Sequence, residues 1–352
     1  MNSDFSEPPF ADRLLEWFDH HGRRDLPWQH DISPYRVWLS EIMLQQTQVN
    51  TVIPYFQRFV LDFPTIVELA EAPIDHVLHL WTGLGYYARA RNLHKTAQLI
   101  TNDYSEAFPA DIKTLQTLPG IGRSTAGAIC AIAFKQRAAI LDGNVKRVLA
   151  RYHTVPGWPG RSAVSRQLWD IAEHHTPDAR IADYTQAIMD LGATLCTRSK
   201  PLCTECPLNS DCQALANGNP SQYPGKKPAK AQPVKSTLFL MLENPEGEIL
   251  LQQRPHLGIW GGLWSFPECA QETDIEAVSK AMGHSAESWT IHRTEQHIFS
   301  HYRLNYTPVT VKVKPGPRIA DNTSRWGNPG KPGKLGLPKP IKSLLGNFPP
   351  GD

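Results

Sequence analysis

The chain has 352 residues, of which 41% are hydrophobic, and a formal net charge of +2. This length predicts about two domains, each with a hydrophobic core of its own. No stretch reaches the roughly 20 apolar residues of a membrane-spanning helix, and residues 1–10 are polar and acidic, unlike a signal peptide. We therefore expect a cytoplasmic protein with no membrane partner.

The distribution of charge says little about the partner. Residues 1–225 carry 20 Lys and Arg against 23 Asp and Glu, and residues 226–352 carry 16 against 11. Nucleic-acid binding by the slightly acidic first part would depend on local basic patches. Two clusters predict such patches: Arg89, Arg91, His94 and Lys95, and Lys146, Arg147 and Arg151.

The first predicted helix covers residues 10–21, because Leu14, Leu15 and Phe18 recur at helical spacing. Arg23 follows in a turn, where the residue pattern alone favours a surface cation.

Residues 34–60 carry a carboxylate, Glu41, on a predicted helix. In a helix, Val37, Trp38 and Leu44 surround Glu41 with apolar side chains. An acid in such surroundings loses hydration and its pKa rises, as a general acid at neutral pH requires. The alternative is a glutamate at the edge of the apolar face that reaches out to water.

Two polar segments are typical of contacts with nucleic acid. Residues 45–48 form an amide-rich turn, and residues 80–95 combine glycines, tyrosines and basic side chains. Amides hydrogen-bond base edges in either direction, and aromatic rings beside cations bind bases and phosphates. A solvated turn and an ordinary helix start explain the same residues.

A glycine turn, LPGIG at residues 118–122, precedes a predicted helix of small apolar residues that starts at Ser124. Amides at such a helix N-terminus can bind a phosphate, although a plain helix-turn-helix corner has the same pattern. About twenty residues on, Asp142 stands at the expected N-cap of a basic helix. A carboxylate there would repel DNA, so we interpret its charge as part of the chemistry.

Four cysteines lie close together with the spacing Cys-x6-Cys-x2-Cys-x5-Cys, at Cys196, Cys203, Cys206 and Cys212. Clustered cysteines in a chain without a secretion signal indicate a metal site rather than disulfides. Four thiolates can hold zinc or a [4Fe-4S] cluster, and zinc sites favour two Cys-x2-Cys pairs where this chain has one.

Residues 226–236 are rich in Pro, Gly, Lys and Ala without periodicity and are predicted to be a linker. Strands are predicted at residues 237–243, 248–253 and 307–313. Residues 315–340 are rich in Pro, Gly and Lys, which leaves the structure of the last segment open.

Three segments carry a resemblance to a known family. WLSEIMLQQTQV (38–49), LPGIG and LDGNVKRVLAR (141–151) resemble the endonuclease III superfamily of DNA glycosylases, and the first resembles its MutY-type adenine DNA glycosylases. Ser124 stands where bifunctional members carry a catalytic lysine, so the resemblance implies a monofunctional enzyme. The cysteine spacing resembles the iron–sulfur loop of the superfamily, which implies a [4Fe-4S] cluster.

The resemblance implies a multidomain fold. An all-α helix-hairpin-helix glycosylase domain would occupy residues 1–225 and contain the iron–sulfur loop at 196–212, and an α+β Nudix-like mismatch-recognition domain would occupy residues 237–352. The Nudix signature G-x5-E-x7-R-E-x2-E-E has no counterpart at residues 268–280. We therefore expect the second domain to bind rather than hydrolyse.

The implied activity is hydrolysis of the N-glycosidic bond of adenine mispaired with 8-oxoguanine or guanine, by a monomer acting on double-stranded DNA in the bacterial cytosol or nucleoid. A protonated Glu41 would donate to N7 of the extruded adenine. An ionised Asp142 would stabilise the positive charge that develops on the sugar.

The same resemblance implies roles for residues that contact DNA. Gln186 would contact the adenine ring, Gln46 would fill the vacated position, Tyr86 would intercalate beside the damaged guanine, and Ser300 would hydrogen-bond to it. The full set of expected contacts is Arg23, Gln46, Leu84, Tyr86, Leu118, Gly120, Gly122, Ser124, Asn144, Gln186, Phe299, Ser300 and His301.

Three other functions remain open at this stage. An endonuclease III-like enzyme that also cuts the strand would need a lysine at position 124. A Nudix hydrolase would need a cluster of metal-binding carboxylates. A non-catalytic iron–sulfur DNA-binding protein fits the cysteines and basic patches, and only Glu41 and Asp142 argue against it.

Overall fold

The computed structural model of the chain describes residues 9–228, 231–256, 258–299, 301–316 and 323–348, and the backbone alone of Pro315. Two compact units divide the chain: Met1–Glu71 with Asn92–Ala229, and Ala72–Arg91 with Lys230–Asp352. The first is here called the helical unit and the second the sheet unit. The predicted domain boundaries assign residues 72–91 to the first domain, whereas their contacts assign them to the sheet unit; the boundaries themselves stay a prediction.

The helices follow one another through both units. In chain order they are α1 (Phe10–His21), α2 (Pro34–Leu44), α3 (Val49–Asp62), α4 (Ile66–Glu71), α5 (Ile74–Trp81), α6 (Ala88–Asp103), α7 (Ile112–Thr117), α8 (Arg123–Ile132), α9 (Gly143–Tyr152), α10 (Ser162–His175), α11 (Ile181–Thr194), α12 (Gln213–Ala216), α13 (Ile275–Ala281) and α14 (Lys339–Gly346). Among the described residues, none of these helices combines the length and apolarity needed to cross a membrane.

Small residues place α8 in the interior of the helical unit. Every residue of α8 from Thr125 to Ile132 is buried. Gly127 lies so close to a neighbouring segment that a Cβ there would come within 2.3 Å of the carbonyl oxygen of Ala139. Because its side chains are small, α8 can pack against α2, α7 and α11 at once.

Residues 34–60 form two helices, with the predicted turn of residues 45–48 between them. α2 ends at Leu44 and α3 begins at Val49, and Gln46 between them has a left-handed backbone with a φ of 59°. The break has a tertiary cause: α3 folds back to pack on α2, so the chain must leave the helix where it reverses. The amide-rich residues 45–48 predict the turn, but not the direction in which α3 packs.

The strands all belong to the sheet unit. They are β1 (Val234–Glu243), β2 (Ile249–Gln253), β3 (Trp264–Ser265), β4 (Glu268–Cys269), β5 (His284–Ile291), β6 (Glu295–Ile298), β7 (Arg303–Pro315) and β8 (Ser324–Gly327). Their order in the sheet is β3-β2-β1-β7-β5, with β4 paired to β1, β6 to β7 and β8 to β2. Leu240, Leu242, Val309 and Val311 form part of the apolar core against α13.

β1 begins at Val234, inside the segment predicted to be a linker. It runs parallel to β7 from the pair Val234 and Arg303 to the pair Glu243 and Lys312. The backbone of Val234 to Ser236 is therefore ordered by a strand almost seventy residues away. Local composition, which is rich in Lys and Pro here, carries no trace of such a partner.

Candidate active site

A cavity of about 800 Å³ opens in the helical unit. It is lined by residues from α2, α8, α9 and α11 and from the turns beside them. Seven residues selected from the sequence line it together: Arg23, Glu41, Gln46, Ser124, Asp142, Asn144 and Gln186. Segments far apart in the chain thus converge on one volume, which is large enough for a nucleotide.

Glu41 lies on α2 with its carboxyl group facing the cavity, and the neighbouring Val37 and Trp38 are buried. Burial raises the pKa of Glu41 to about 8, and the nearby charge of Asp142 contributes in the same direction. Glu41 is therefore mostly protonated at pH 7. The predicted pKa shift and its predicted cause, loss of hydration among apolar neighbours, are confirmed.

Asp142 is the N-cap of α9, as predicted, and its carboxylate accepts a hydrogen bond of 2.8 Å from the amide of Val145. The pKa of Asp142 lies above its ordinary value, because burial outweighs the amides of Val145 and Asn144 and the cations Arg147 and Lys146, which lower it. The sequence indicated the cations and the helix terminus but not the burial. The two carboxyl groups thus share a cavity and differ in the number of donors around them.

Ser124 connects the glycine turn to the segment that precedes Asp142. Its Oγ accepts a hydrogen bond of 3.0 Å from the amide of Leu141. In the turn itself Leu118 is buried, Gly120 has a left-handed φ of 80°, and Gly122 is the N-cap of α8. These three turn residues are not among the residues that line the cavity.

Arg23 and Gln186 line the cavity, and Asp190 holds Arg23 in place. The carboxylate of Asp190 accepts hydrogen bonds from the backbone amide of Arg23 at 2.8 Å and from its Nε at 3.0 Å. Asp190 is 1% exposed, so this ion pair is fixed by its surroundings. The pattern around Arg23 favoured a free surface cation, and the structure corrects this.

Arg147 is a cavity residue that the sequence pattern identified only as part of a basic patch. Its guanidinium donates to Asn144 Oδ1 at 2.8 Å, to the carbonyl of Gly192 at 2.6 Å and, through Nε, to the carbonyl of Cys196 at 2.7 Å. Arg147 therefore connects the start of α9 with the end of α11 and the cysteine loop. The only sign of this role in the sequence is that Arg147 follows Asn144 by three residues, which places both side chains on one face of α9.

Each predicted basic patch is buried in part. Lys95 is exposed and Arg91, Lys146 and Arg147 are half-buried, whereas the other three residues are withdrawn from any DNA-binding surface. Arg89 and His94 are each 9% exposed and Arg151 is 2% exposed. Arg151 donates instead to the backbone carbonyls of Pro220, Tyr223 and Thr197, among others. A guanidinium with five donors can be buried wherever carbonyl groups converge, which a charge count does not detect.

The four clustered cysteines line a second, small cavity of about 30 Å³ in the helical unit. The guanidinium of Arg151 donates a hydrogen bond of 3.2 Å to Sγ of Cys196. Within the ranges that the structure describes, no three His, Cys, Asp and Glu side chains are grouped as ligands of a metal ion.

The remaining predicted site residues lie in the sheet unit. Leu84 is buried, while Tyr86 is 48% exposed and has a left-handed φ of 49°. Phe299 stacks on Tyr302 with ring centroids 4.6 Å apart, and His301 is exposed. Ser300 lies outside the described residues.

Comparison with known proteins assigns both units. Residues 39–174 match the family described as HhH-GPD superfamily base excision DNA repair protein, and residues 238–347 match the NUDIX domain. A solved thermostable thymine-DNA glycosylase is 27% identical with a TM-score of 0.53, over 59% of this chain and 95% of its own. A non-covalent endonuclease III–DNA complex, 21% identical with a TM-score of 0.50 over 59% and 94%, shares the fold. The class is thus a helix-hairpin-helix DNA glycosylase with a Nudix-like C-terminal domain, and the predicted fold class is confirmed.

Relatives along the whole chain narrow the assignment. The adenine DNA glycosylase of Buchnera aphidicola (subspecies Acyrthosiphon pisum, strain APS) is 38% identical over 344 residues, which is 96% of this chain and 97% of that protein. The human adenine DNA glycosylase is 37% identical over 381 residues, covering 88% of this chain and 69% of that protein. This chain belongs to the MutY-type adenine DNA glycosylases, enzymes of base excision repair that hydrolyse N-glycosidic bonds. A non-catalytic DNA-binding protein is excluded.

Proposed function

We propose that this adenine DNA glycosylase removes adenine mispaired with 8-oxoguanine or guanine in double-stranded DNA and leaves the strand uncut. The observation that carries the proposal is the pair Glu41 and Asp142, two carboxyl groups in one cavity with different surroundings. Two interacting acids lose their protons in sequence. Burial raises the pKa of both acids. We infer that the first proton leaves Asp142, because the amides and cations beside it favour the charge, and that the second stays on Glu41, where the charge of Asp142 adds to burial.

In this mechanism the extruded adenine enters the cavity, and Glu41 donates its proton to N7 of the base. The bond between C1′ and N9 breaks and its electron pair leaves with adenine. Positive charge then develops on the sugar, and the ionised Asp142 stabilises it. Water adds to C1′ and gives its proton to the carboxylate of Glu41, which restores the acid.

The other cavity residues hold the base and the emptied position in the duplex. Arg23 and Gln186 would contact the adenine. Asn144, in the first turn of α9, would hold that end of the helix beside the base. Gln46 is exposed at the cavity with a left-handed backbone, a position suited to enter the duplex as the adenine leaves. The amides of the turn that contains Leu118, Gly120 and Gly122, with Ser124, would bind a phosphate.

Ser124 supports hydrolysis without strand cleavage. A bifunctional glycosylase needs an amine to form a Schiff base with the sugar. The hydroxyl of Ser124 is already the acceptor for the amide of Leu141. We infer that water is the nucleophile and that the product is an intact abasic strand.

The sheet unit would read the base opposite the adenine. Tyr86 would intercalate beside it with Leu84 as its buried neighbour, and the loop of Phe299, Ser300 and His301 would test for 8-oxoguanine. Two carboxylates of residues 268–280, where the Nudix signature is missing, have other partners: Glu268 pairs with Arg254, and Glu272 accepts from the indole of Trp289 at 2.9 Å. These contacts support binding rather than metal-dependent hydrolysis.

We propose that Cys196, Cys203, Cys206 and Cys212 hold a [4Fe-4S] cluster. Their shared cavity and the charged donor from Arg151 to Cys196 Sγ support ligation by thiolates. Zinc is the alternative, and a single zinc ion would require each of the four sulfur atoms to lie about 2.3 Å from the metal. The cluster would stiffen the loop, which also contributes Thr197 and Arg198 to the active-site cavity.

The cluster predicts that iron and acid-labile sulfide are present in equal amounts in the purified protein. Cys206→Ser should lose both, because one of four ligands is replaced. Cys269→Ser, which changes a cysteine of the sheet unit that donates to the carbonyl of Gln271, should lose neither. Zinc in place of iron in the unsubstituted protein would contradict the cluster.

The proposed specificity is tested with four duplexes in which adenine stands opposite 8-oxoguanine, guanine, thymine or cytosine. Free adenine should appear from the first two, and the strand should break only after alkali treatment. Equal release from all four would overturn the mispair specificity. Strand breakage before alkali would instead overturn the monofunctional mechanism. We further propose that the enzyme acts as a monomer, because one chain supplies every proposed active-site group, and that it acts in the cytoplasm.

A further inference from the structure

The segment of residues 72–91, which carries Tyr86, belongs to the sheet unit although it lies between helices of the helical unit in the sequence. Side chains attach it there at both ends. The indole Nε1 of Trp264 donates to Asp75 at 3.2 Å, and the guanidinium of Arg91 donates to the carbonyl of Gly261 at 2.5 Å. Trp264 is 5% exposed, so the first of these bonds is shielded from water.

The middle of the segment is attached as well. His79 Nδ1 lies 3.1 Å from the carbonyl of Leu335, and the hydroxyl of Tyr87 donates to the carbonyl of Leu337 at 3.3 Å. Between these two carbonyls, a Cβ on Gly336 would come within 2.6 Å of the Cβ of Leu78. The backbone of the C-terminal segment and α5 are therefore in direct contact, and a glycine is what allows it.

Within the segment, the loop that presents Tyr86 is internally braced. Arg89 donates to the carbonyls of Leu84 and Gly85 at 3.2 Å each, and its guanidinium lies over the rings of Trp81 and Tyr86, at 5.3 and 5.7 Å. The indole of Trp81 also donates to the carbonyl of Gly85 at 3.1 Å. Tyr86 is thus an exposed ring on a loop in which the carbonyls of Leu84, Gly85 and Tyr86 all accept hydrogen bonds.

We propose that the sheet unit positions Tyr86, with Asp75, Arg89, Arg91 and Trp264 as positioning residues for recognition of the base opposite the adenine. The inference rests on the proposed role of Tyr86 and deepens it. An aromatic ring that inserts between two stacked bases must be held at a fixed position and in a fixed orientation. The contacts above supply both from the same unit that carries the loop of Phe299 and His301. Selectivity between mispairs therefore depends on residues that touch neither DNA nor the reacting atoms.

The test replaces one hydrogen-bond donor. Trp264→Phe keeps a buried aromatic ring but removes the indole N–H that binds Asp75. Trp289→Phe is the matched control, because it removes an indole N–H bound to a carboxylate, Glu272, elsewhere in the same unit. Single-turnover adenine release is measured opposite 8-oxoguanine and opposite guanine. The rate opposite 8-oxoguanine divided by the rate opposite guanine should fall roughly three- to tenfold in Trp264→Phe. This ratio should stay unchanged in Trp289→Phe.

Tyr86→Ala separates failure of this inference from failure of the proposed role of Tyr86. If Tyr86→Ala leaves the rate ratio unchanged, the role of Tyr86 and its positioning are both wrong. If it lowers the ratio while Trp264→Phe behaves like its control, only the positioning is wrong. The double variant Tyr86→Ala with Trp264→Phe should be no less selective than Tyr86→Ala alone. If the two substitutions lowered the rate ratio additively, the inference would be contradicted. Asp75→Asn, which weakens the same bond from the other side, should reproduce the loss, including in the case that Trp264→Phe does not fold.

Discussion

Glu41→Gln is expected to bind the mispaired duplex normally and to release adenine about a hundred- to ten-thousandfold more slowly, the range typical of a lost general acid. The amide has nearly the shape of the protonated acid but cannot give a proton to N7. Because Glu41 is already mostly uncharged at pH 7, the substitution removes no charge–charge attraction, and we expect little change in thermal stability. Single-turnover excision and duplex binding, measured side by side, check both expectations.

Glu16→Gln is the matched control for this loss. Glu16 lies on the exposed face of α1, so the same chemical change should leave the rate unaltered. The raised pKa adds a second signature. In the unsubstituted enzyme the excision rate should decline as the pH rises through about 8, since Glu41 then loses the proton that it must donate. Excision by Glu41→Gln at the normal rate would contradict the acid assignment.

Asp142→Asn is expected to lower the excision rate by about a hundred- to a thousandfold, the usual effect of losing one group that stabilises transition-state charge. The neutral amide cannot balance the positive charge on the sugar. Its oxygen can still accept from the amide of Val145, and asparagine is as good an N-cap as aspartate. The loss should therefore appear in the rate and not in the melting temperature.

The chain contains a control for that separation. Asp111 is the N-cap of α7 and accepts from the amide of Thr114 at 2.8 Å, the same local geometry as Asp142, but it does not line the cavity. Asp111→Asn should have a similarly small effect on stability and none on excision. If Asp142→Asn retained nearly full activity, the charge of Asp142 would have no part in the reaction, and the mechanism would need another stabilising group.

Several features of this enzyme could be predicted from residues within one or two helical turns. α1 has the predicted bounds because its apolar spacing is local. The N-cap role of Asp142 depends on its own side chain and an amide three residues away. The raised pKa of Glu41 follows from neighbours on the same helix, and its predicted direction is confirmed.

Features that depend on distant partners escape prediction from local patterns. Arg151 is predicted to be a surface cation, yet it is buried and donates to the backbone carbonyls of Pro220 and Tyr223. The early start of β1 has the same origin, because its partner β7 lies almost seventy residues away. In both cases the partner lies far away in the chain, so no local residue pattern predicts the contact.

The sequence by itself determined the chemical groups, their local settings and, through resemblance, the class of enzyme. Only the tertiary structure decided that Glu41 and Asp142 line one cavity with Arg23 and Gln186, and that the segment of Tyr86 is attached to the sheet unit. The physical reason is that capping, amphipathicity and desolvation by neighbours act over a few residues. The meeting of two carboxyl groups a hundred residues apart depends instead on how whole helices pack.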